Sequence, residues 1–498
     1  MRSLFLSAVI VATAARGGGV PVRSPASVGM SAERLAMIDH VVERGISAGG
    51  YPGAAVVVGR RGAVVLEKGY GRLSWSATDE TVSPDSSIYD LASLTKVIAT
   101  TTAIMVLYDE GKVQLDDPVK KFIPEFSGGN KDKVTVRLLL EHRSGLPPGR
   151  NLWRTAHSPA EARAQVISTK LGYRPGQYYE YSDLGADMLG FIAEAASGER
   201  LDQFLAEHVY KPLGMKDTFF HPADSLRATI APTEVHPPRG YPLRGQVHDE
   251  NAYALGGVAG HAGLFSTAAD LSIFAEMMLN RGEYNGVRIV ADSTVELFTK
   301  RAALTRALGW DTCDDEGSCG RYLSTRAYGH TGFTGTSIWI DPDRDMFVVL
   351  LTNRVYEPRA RRPATVIADV RADLADAAAL AVTDSPDGVP DMPEEFRADK
   401  ALGWNKALPR HATAKPVSTA KRPTQQPAAA KRAATPSKSG VAGSASAKSA
   451  SASTAKVPAV ARSSDFAAAL MTSGSGGSGL TSGPSTGMPF LRPPGPSP

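Results

Sequence analysis

Apolar residues form short runs near both ends of the folded part of the chain and follow helical spacing between those ends. The runs at 54–59 and 63–70 flank Arg60-Arg61-Gly62, which is typical of a β-hairpin turn. A second pair of runs, at 337–340 and 346–352, flanks a turn-like sequence rich in Asp and Pro. We therefore predict two hairpins, one near each end of the domain.

Apolar positions three or four residues apart predict the helices. One helix begins at the N-cap Ser31 and runs to about residue 46, and further helices cover 94–108, 136–142, 160–168, 184–196, 201–209 and 363–382. Because strands lie at both ends and helices between them, we predict an α/β protein of the α+β type. Its antiparallel sheet is flanked by helices and carries an all-helical insertion.

Charge is distributed unevenly along the chain. The last 98 residues contain twelve Lys or Arg and one acidic residue, Asp465, which leaves 43 basic and 50 acidic residues in the first 400. This distribution excludes a basic nucleic-acid-binding domain in the folded part. Residues 386–498 are rich in Ala, Ser, Pro and Lys and predict a disordered linker and tail. The tail either only solvates the protein or contacts anionic cell-envelope polymers through its charge.

The N-terminus predicts export. Arg2 precedes an apolar run at 4–15 that contains the cleavage signal Ala12-Thr13-Ala14, so we predict a signal peptide at 1–14 and a periplasmic or extracellular location. A frayed N-terminus is the alternative. The run is shorter than the ~20 residues that a transmembrane span needs. Cys313 and Cys319 are the only cysteines, which excludes a disulfide-framework fold; they form either one disulfide or two reduced thiols.

A serine and a lysine lie three residues apart in Leu91-Ala92-Ser93-Leu94-Thr95-Lys96, at the start of the predicted helix over 94–108. Residues three apart share a helix face, so the two side chains can meet. A serine becomes a strong nucleophile when a neighbour removes its proton, and an amine can do so if burial or nearby positive charge lowers its pKa. A capping serine beside a solvated lysine is the alternative for this motif alone.

Two further motifs carry candidate groups for the same chemistry. Tyr179-Glu180-Tyr181-Ser182-Asp183 precedes the predicted helix over 184–196, where a tyrosine could act as general base towards Ser93. A tyrosine that only packs in the fold is the alternative. The glycine-rich sequence 329–335 precedes a predicted strand, so a substrate backbone can approach it closely. There the N–H of Phe333 could join that of Ser93 in an oxyanion hole.

The order of these S-x-x-K, Y-S-x and H-T-G motifs resembles the serine β-lactamase and penicillin-binding-protein superfamily. The chain is most similar to the group related to class C β-lactamases, which includes D-alanyl-D-alanine carboxypeptidases and family VIII esterases. The resemblance covers about residues 25–385 and extends to the flanking sequences 138–146, 212–218, 247–252 and 256–265. It implies a β-lactamase/transpeptidase-like fold for this domain.

The resemblance also implies a role for each matching residue. Ser93 would be the acylated nucleophile, Lys96 its partner and Tyr181 the second acid/base group. His330-Thr331-Gly332 would be the strand motif that orients the substrate, and the N–H groups of Ser93 and Phe333 would form the oxyanion hole. An acyl-enzyme of this kind needs no metal and no organic cofactor.

The chain departs from the family pattern at two substrate-binding positions. Asp183 stands where many relatives have Asn, and an ionised carboxylate accepts hydrogen bonds but cannot donate them. It could instead pair with Lys96. His330 stands where penicillin-recognising enzymes have Lys, and a neutral imidazole attracts a carboxylate less than an ammonium does. Asp183 argues against a hydrogen bond to a substrate amide carbonyl, and His330 argues against efficient β-lactamase activity, which leaves room for ester or peptide substrates. Thr331 could still bind a substrate carboxylate.

Several potential ligands lie close together in the sequence: His236, His248, Asp249, Glu250 and His261. Their spacing fits neither H-E-x-x-H nor another compact ligand motif, so we predict no metal site. The glycines around His261 indicate a tight loop, and the resemblance places that loop near the cleft. His261 is therefore a candidate substrate contact or, equally, a residue that braces the loop.

We predict an exported serine hydrolase that acts through an acyl-enzyme on the amide or ester bonds of a small-molecule or peptide substrate. D-Ala-D-Ala-type peptides are the leading substrate class. A small-ester hydrolase or weak β-lactamase with the same residues is the alternative in chemistry. A non-catalytic penicillin- or peptide-binding module is the alternative in class.

Overall fold

The two predicted hairpins form and lie side by side in one sheet. The structure, a computed structural model, describes residues 19–313, 317–386, 388–399 and 404. All of them belong to the first of the two units into which the chain divides, Met1–Ala459. The predicted signal peptide at 1–14 and most of the predicted tail lie outside the described residues.

The described strands are longest in the centre of the sheet. In chain order they are β1 (Gly53–Arg60), β2 (Ala63–Gly71), β3 (Tyr89–Asp90), β4 (Phe219–Phe220), β5 (Leu264–Ser266), β6 (Glu283–Tyr284), β7 (Val287–Arg288), β8 (Asp311–Thr312), β9 (Tyr328–Thr331), β10 (Ser337–Asp341) and β11 (Met346–Thr352).

The main sheet has the strand order β2-β1-β11-β10-β9-β8 and is antiparallel throughout. β1 pairs with β11, so the N-terminal and C-terminal hairpins join in the middle of the sheet. Two smaller sheets, β3-β5-β4 and β6-β7, lie outside it. This arrangement confirms the predicted sheet built from both ends of the domain.

Both faces of the central strands are buried. On β1, the side chains of Ala54, Val56 and Val58 belong to one hydrophobic core, and those of Ala55 and Val57 belong to another. Alternate side chains of a strand point to opposite faces of the sheet. The continuous apolar run that predicts β1 therefore reflects burial on two sides.

The α-helices of the described residues are α1 (Ala32–Leu35), α2 (Met37–Ser47), α3 (Thr102–Asp109), α4 (Val136–Leu140), α5 (Leu152–Thr155), α6 (Pro159–Ser168), α7 (Asp183–Ser197), α8 (Leu201–Leu205), α9 (Lys211–Leu213), α10 (Glu250–Ala254), α11 (Ala268–Leu279), α12 (Asp292–Thr299) and α13 (Pro363–Leu380). Short 3₁₀ turns cover Pro25–Val28, Ala92–Leu94, Val119–Lys121, Gly129–Lys133 and Asp224–Thr229, and π-helical turns cover Lys96–Thr101 and Ala206–Tyr210.

Helices cover the sheet on both faces. α13 packs against α2 and β11 on one face, whereas α11 packs against β1, β10 and β11 on the other. α4, α7 and α8 pack around α3 and form the predicted helical subdomain. The sequence-based fold class is thus confirmed.

Several helices differ from the sequence prediction. The helix predicted from Ser31 is divided at Ala36 into α1 and α2, and α5, α9, α10 and α12 are not predicted. The helix predicted over 94–108 is a 3₁₀ turn and a π-helical turn followed by α3. The apolar pattern does not predict α11, because this helix is buried nearly all round and lacks the polar face that makes helical spacing visible. A usable signal was Thr267, whose side chain caps the helix by accepting the N–H of Asp270.

Cys313 and Cys319 form a disulfide that links the end of β8 to the loop before β9. The alternative of two reduced thiols therefore does not describe this structure. Within the described ranges, no helix has both the length and the apolar character that a membrane crossing requires.

Candidate active site

Ser93 lies in a sharp turn between β3 and the helical segment that follows it. Ala92 has a φ of 47°, in the left-handed region that L-residues rarely adopt. Its N–H donates to Oδ1 of the buried Asp90 at 2.8 Å. The other oxygen of Asp90, Oδ2, accepts the N–H of His248 at 2.6 Å. The Asp90 carboxylate thus holds the strained backbone that presents Ser93.

Lys96 is the centre of the hydrogen-bond network at this turn. Its Nζ donates to Oγ of Ser93 at 2.9 Å and to the carbonyl oxygen of His261 at 3.1 Å. The same Nζ pairs with Oδ1 of Asp183 at 2.7 Å and lies 5.0 Å from the centroid of the Tyr181 ring. The structure therefore brings together the serine, the lysine, the tyrosine and the aspartate that the sequence singles out.

The charge state of Lys96 differs from the sequence expectation. Burial by itself lowers the pKa of Lys96, but the Asp183 carboxylate and the Tyr181 hydroxyl outweigh burial and raise that pKa above its ordinary value. Lys96 is thus a cation at neutral pH. The condition that burial lowers the pKa of this amine is therefore not met, because Asp183, 2.7 Å away, and Tyr181 together stabilise the charged form more than burial destabilises it.

Cations lie on two sides of Tyr181. The guanidinium carbon of Arg306 lies 5.3 Å from the centroid of the Tyr181 ring, and Nζ of Lys96 lies 5.0 Å from the same centroid. The ring of His142 lies 4.6 Å from that of Tyr181, and its Nδ1 accepts the N–H of Ser182 at 3.1 Å. Two cationic side chains and an imidazole therefore contact the Tyr181 ring.

The sequence analysis missed Arg306. The side chain is buried, pairs with Asp311 at 2.8 Å and donates from Nε to the hydroxyl of Tyr179 at 3.0 Å. Arg306 and Tyr179 are 127 positions apart, so no short motif joins them. The available signal was an arginine inside the otherwise uncharged sequence 303–310.

His330 and Thr331 lie on β9 beside an open edge of the sheet. β8 pairs only with Tyr328 and Gly329, so no described strand pairs with the far side of the next two residues. Burial, followed by the charges of Arg306 and Lys96, holds the pKa of His330 well below its ordinary value. The imidazole is therefore neutral, as the sequence argument assumes.

The turn 332–336 is bound to the backbone that precedes Ser93. Oγ1 of Thr334 donates to the carbonyl oxygen of Asp90 at 2.7 Å, and Oγ1 of Thr336 donates to that of Leu91 at 2.9 Å. These bonds fix the distance between the Ser93 turn and the 332–336 turn. The N–H groups of Ser93 and Phe333 can therefore both donate to one substrate oxygen.

Arg371 holds the same turn from the opposite side. This buried residue of α13 donates to the carbonyl oxygens of Gly332 at 2.6 Å and of Thr336 at 2.8 Å, and burial lowers its pKa to about 9. The N–H of Phe333 donates to no other group in the part of the chain that the structure describes. Phe333 therefore presents the free donor that an oxyanion hole requires.

Gly332 leaves no room for a side chain. An added Cβ would lie 2.4 Å from the carbonyl oxygen of Leu91, two residues before Ser93. We therefore expect Gly332→Ala to lower the free energy of unfolding by roughly 1–3 kcal/mol and to slow ester hydrolysis, measured by thermal melting and nitrophenolate release. Gly149→Ala is the control, because nothing lies within 4 Å of its added Cβ. Equal losses in the two variants would contradict this explanation.

His261 is buried between two carboxylates. Its side chain is 2% exposed, Nδ1 lies 2.7 Å from Asp187 and Nε2 lies 2.9 Å from Asp249. Burial lowers the pKa of His261, but the two carboxylates outweigh burial and raise it well above its ordinary value. Both ring nitrogens are engaged, so the prediction of a substrate contact is corrected. His261 braces its loop, and its carbonyl oxygen binds Lys96.

We expect His261→Gln to lower the free energy of unfolding by about 3–5 kcal/mol, because it leaves Asp187 buried without its cation. The pKa of His261 is higher in the folded than in the unfolded chain. Its stabilisation is therefore complete below the unfolded value of ~6.5 and is lost as the pH rises through the folded value. Melting curves should show the gap between wild type and variant narrowing in alkaline buffer; a gap independent of pH would refute the buried cation.

Comparisons with known proteins agree with this site. The Beta-lactamase family model matches residues 38–372. A Salmonella agona (strain SL483) protein named "Putative D-alanyl-D-alanine carboxypeptidase" is 35% identical over 374 residues, which is 68% of this chain and 86% of that protein.

Two solved structures share the fold. A penicillin-binding protein homologue from Caulobacter crescentus has a TM-score of 0.57 at 20% identity and covers 70% of this chain and 98% of its own. The hydrolase EstCE1, described as having promiscuous acyltransferase activity, has a TM-score of 0.56 at 22% identity, with coverage of 68% and 98%. Together with the family match, these similarities establish that the chain belongs to the β-lactamase family, within the serine β-lactamase and penicillin-binding-protein superfamily, and is a serine hydrolase.

Proposed function

We propose that this protein is an exported carboxypeptidase that cleaves D-Ala-D-Ala-type peptides through an acyl-enzyme on Ser93. The observation that carries the proposal is the contact of Lys96 Nζ with Ser93 Oγ at 2.9 Å, beside Tyr181 and opposite the free N–H of Phe333. The nucleophile, a proton acceptor and an oxyanion donor thus surround one small space.

The first half-reaction transfers the acyl group to Ser93. Oγ of Ser93 attacks the substrate carbonyl carbon and passes its proton to Tyr181, which starts this step as a phenolate and becomes a neutral hydroxyl. Lys96 is already protonated and cannot accept that proton. The N–H groups of Ser93 and Phe333 stabilise the negative oxygen of the tetrahedral intermediate. The proton then passes to the leaving amine or alcohol, and the carbon–nitrogen or carbon–oxygen bond breaks.

The second half-reaction uses the same groups on water. Tyr181 removes a proton from a water molecule that attacks the acyl carbon, and the proton returns to Ser93 as the ester bond breaks. Lys96 and Arg306 stabilise the phenolate in both steps because each lies within 6 Å of the Tyr181 ring. No cofactor takes part in this scheme.

The open edge of β9 supports a peptide substrate. The side of His330 and Thr331 that faces away from β10 lacks a partner strand among the described residues, so an extended peptide can pair there and bring its carbonyl to Ser93. The name of the Salmonella agona relative agrees with this substrate class. The signal-peptide pattern at 1–14 supports export, and the charge of the tail supports contact with an anionic envelope polymer.

A small-ester hydrolase is the second candidate. The neutral His330 puts no fixed cation where a substrate carboxylate would lie, and EstCE1 is described as a hydrolase. The two candidates differ in whether the enzyme needs a C-terminal carboxylate on its substrate.

Release of D-alanine from an acylated Lys-D-Ala-D-Ala tripeptide tests the proposal. We expect wild-type protein to release D-alanine catalytically and to prefer this peptide to its C-terminal amide. Turnover of p-nitrophenyl acetate without release of D-alanine would reject the carboxypeptidase and favour the ester hydrolase. Failure on both substrates, with no covalent adduct, would favour the non-catalytic binding module.

Asp183→Asn tests the electrostatics of the site. The Asp183 carboxylate is a principal cause of the raised pKa of Lys96, so the variant should have a lower Lys96 pKa. Because protonated Lys96 stabilises the phenolate, we expect the alkaline limb of the activity profile to move to lower pH. Asp202→Asn, which removes the half-buried partner of the exposed Arg200, is the control and should leave the profile unchanged. An unshifted limb in Asp183→Asn would contradict the assignment.

A further inference from the structure

Three side chains beside the active site bring their potential ligand atoms within 4.8 Å of one another: Glu234, His236 and His248. His236 and His248 are buried, with 8% and 3% of their surfaces exposed, and Glu234 is half-buried. Imidazole nitrogens with carboxylate oxygens are the donors that zinc and neighbouring divalent transition metals prefer. The reaction proposed above uses none of these side chains.

The tautomer of His236 leaves one nitrogen free for a ligand. Nδ1 of His236 lies 3.0 Å from the carbonyl oxygen of Pro237, which can only accept a hydrogen bond, so Nδ1 carries the proton. Nε2 then carries a lone pair. A histidine that binds a metal commonly donates its other N–H to such a carbonyl, which fixes the ring orientation.

Glu250 offers a second carboxylate oxygen near His236. Its Oε2 lies 3.6 Å from Nε2 of His236 and, among the described residues, has no hydrogen-bond partner. That separation is too long for a hydrogen bond. A cation between the two atoms would satisfy both of them.

His248 and Glu234 complete the set. Nε2 of His248 and Oε1 of Glu234 are hydrogen-bonded at 2.9 Å, and a metal ion would take the place of the proton between them. With Glu250, the four side chains offer two carboxylates and two imidazoles, which balance the charge of a divalent cation. We propose that Glu234, His236 and His248, with Glu250 beside His236, form a structural site for zinc or a similar divalent transition metal. This proposal reverses the prediction of no metal site, which rests on sequence spacing alone.

The location of this site links it to the catalytic turns. The backbone N–H of His248 donates to Asp90, which holds the strained turn before Ser93. The imidazole of His248 stacks on the ring of Phe333, with centroids 5.7 Å apart. A metal ion bound here would fix the segment behind both the nucleophile and the oxyanion donor without touching the substrate.

Zinc binding by the full-length protein tests the site directly. The protein is first treated with a chelator, and the chelator is then removed. Zinc is titrated into this protein in the presence of a chromophoric chelator that competes for the metal. The melting temperature is measured at each zinc concentration. We expect one equivalent to bind tightly and the melting temperature to rise with zinc concentration. This readout does not depend on hydrolase activity, so it separates the metal site from the proposed function.

Two variants test the proposed ligands, and a third serves as the control. We expect His236→Ala and Glu234→Gln each to weaken zinc binding on the order of 10²-fold. His208→Ala, which removes an exposed histidine that pairs with Glu199 and packs on the ring of Phe204, is the control and should bind zinc as wild type does. Glu234→Gln keeps the size of the side chain, so it remains informative if His236→Ala fails to fold.

X-ray absorption of the zinc-loaded wild type provides an independent readout. It should show nitrogen and oxygen donors at about 2.0–2.1 Å, including two imidazoles. The proposal is overturned if the chelator-treated wild type binds no zinc saturably. It is also overturned if His236→Ala and Glu234→Gln bind zinc as tightly as the control.

Discussion

Ser93→Ala is expected to abolish hydrolysis of every substrate, with a loss of at least about 10⁴-fold in kcat/KM. The variant removes the only atom that forms the covalent bond, whereas the oxyanion donors and the binding edge of β9 stay in place. The change is small and local, so the folded structure should persist. Turnover of p-nitrophenyl acetate and release of D-alanine measure the loss.

Ser168→Ala is the matched control for this variant. Ser168 is exposed at the end of α6, and its hydroxyl donates only to the carbonyl oxygen of Gln165. Its removal should leave activity within a factor of two or so of wild type. Appreciable residual hydrolysis by Ser93→Ala, with a melting curve like that of wild type, would mean that another residue is the nucleophile.

Lys96→Ala and Tyr181→Phe should each reduce the rate of acylation by on the order of 10² to 10⁴. Tyr181→Phe removes the proton acceptor and keeps the ring, so its packing against His142 and Arg306 is preserved. Lys96→Ala removes the cation that stabilises the phenolate and the donor to Ser93. Pre-steady-state release of nitrophenolate measures acylation directly.

Tyr178→Phe provides the control for the tyrosine. Tyr178 is half exposed, and its hydroxyl accepts a hydrogen bond from Gln177. We expect Tyr178→Phe to acylate at the wild-type rate. If Tyr181→Phe did the same, Tyr181 would have no part in proton transfer, and Asp183 acting through Lys96 would be the remaining candidate.

The sequence predicts the parts of the site that lie in short motifs. Ser93 and Lys96 are three residues apart, and their contact follows from local geometry alone. The sheet is also predictable, because its central strands are continuous apolar runs bounded by turn residues. The strands β8 and β9 escape prediction, since their sequences lack such a run.

The groups that set the electrostatics of the site are joined by long-range contacts. Asp187 and His261 form an ion pair although they are 74 positions apart in the sequence. Arg371 donates a hydrogen bond to Gly332, which lies 39 positions before it. Nothing in the local pattern of an isolated residue reveals such partners. The sequence therefore predicts which side chains carry the chemistry, but the charge of Lys96 depends on how burial and its neighbours balance in the folded chain.

The central claim is a covalent acyl-enzyme on Ser93. Intact-mass spectrometry of the protein without residues 1–14, after mixing with a penicillin and separately with p-nitrophenyl acetate, tests it most directly. The account predicts a stoichiometric adduct that peptide mapping places on Ser93, catalytic release of nitrophenolate, and no adduct in Ser93→Ala. An adduct on another residue, or catalytic turnover that persists in Ser93→Ala, would contradict it.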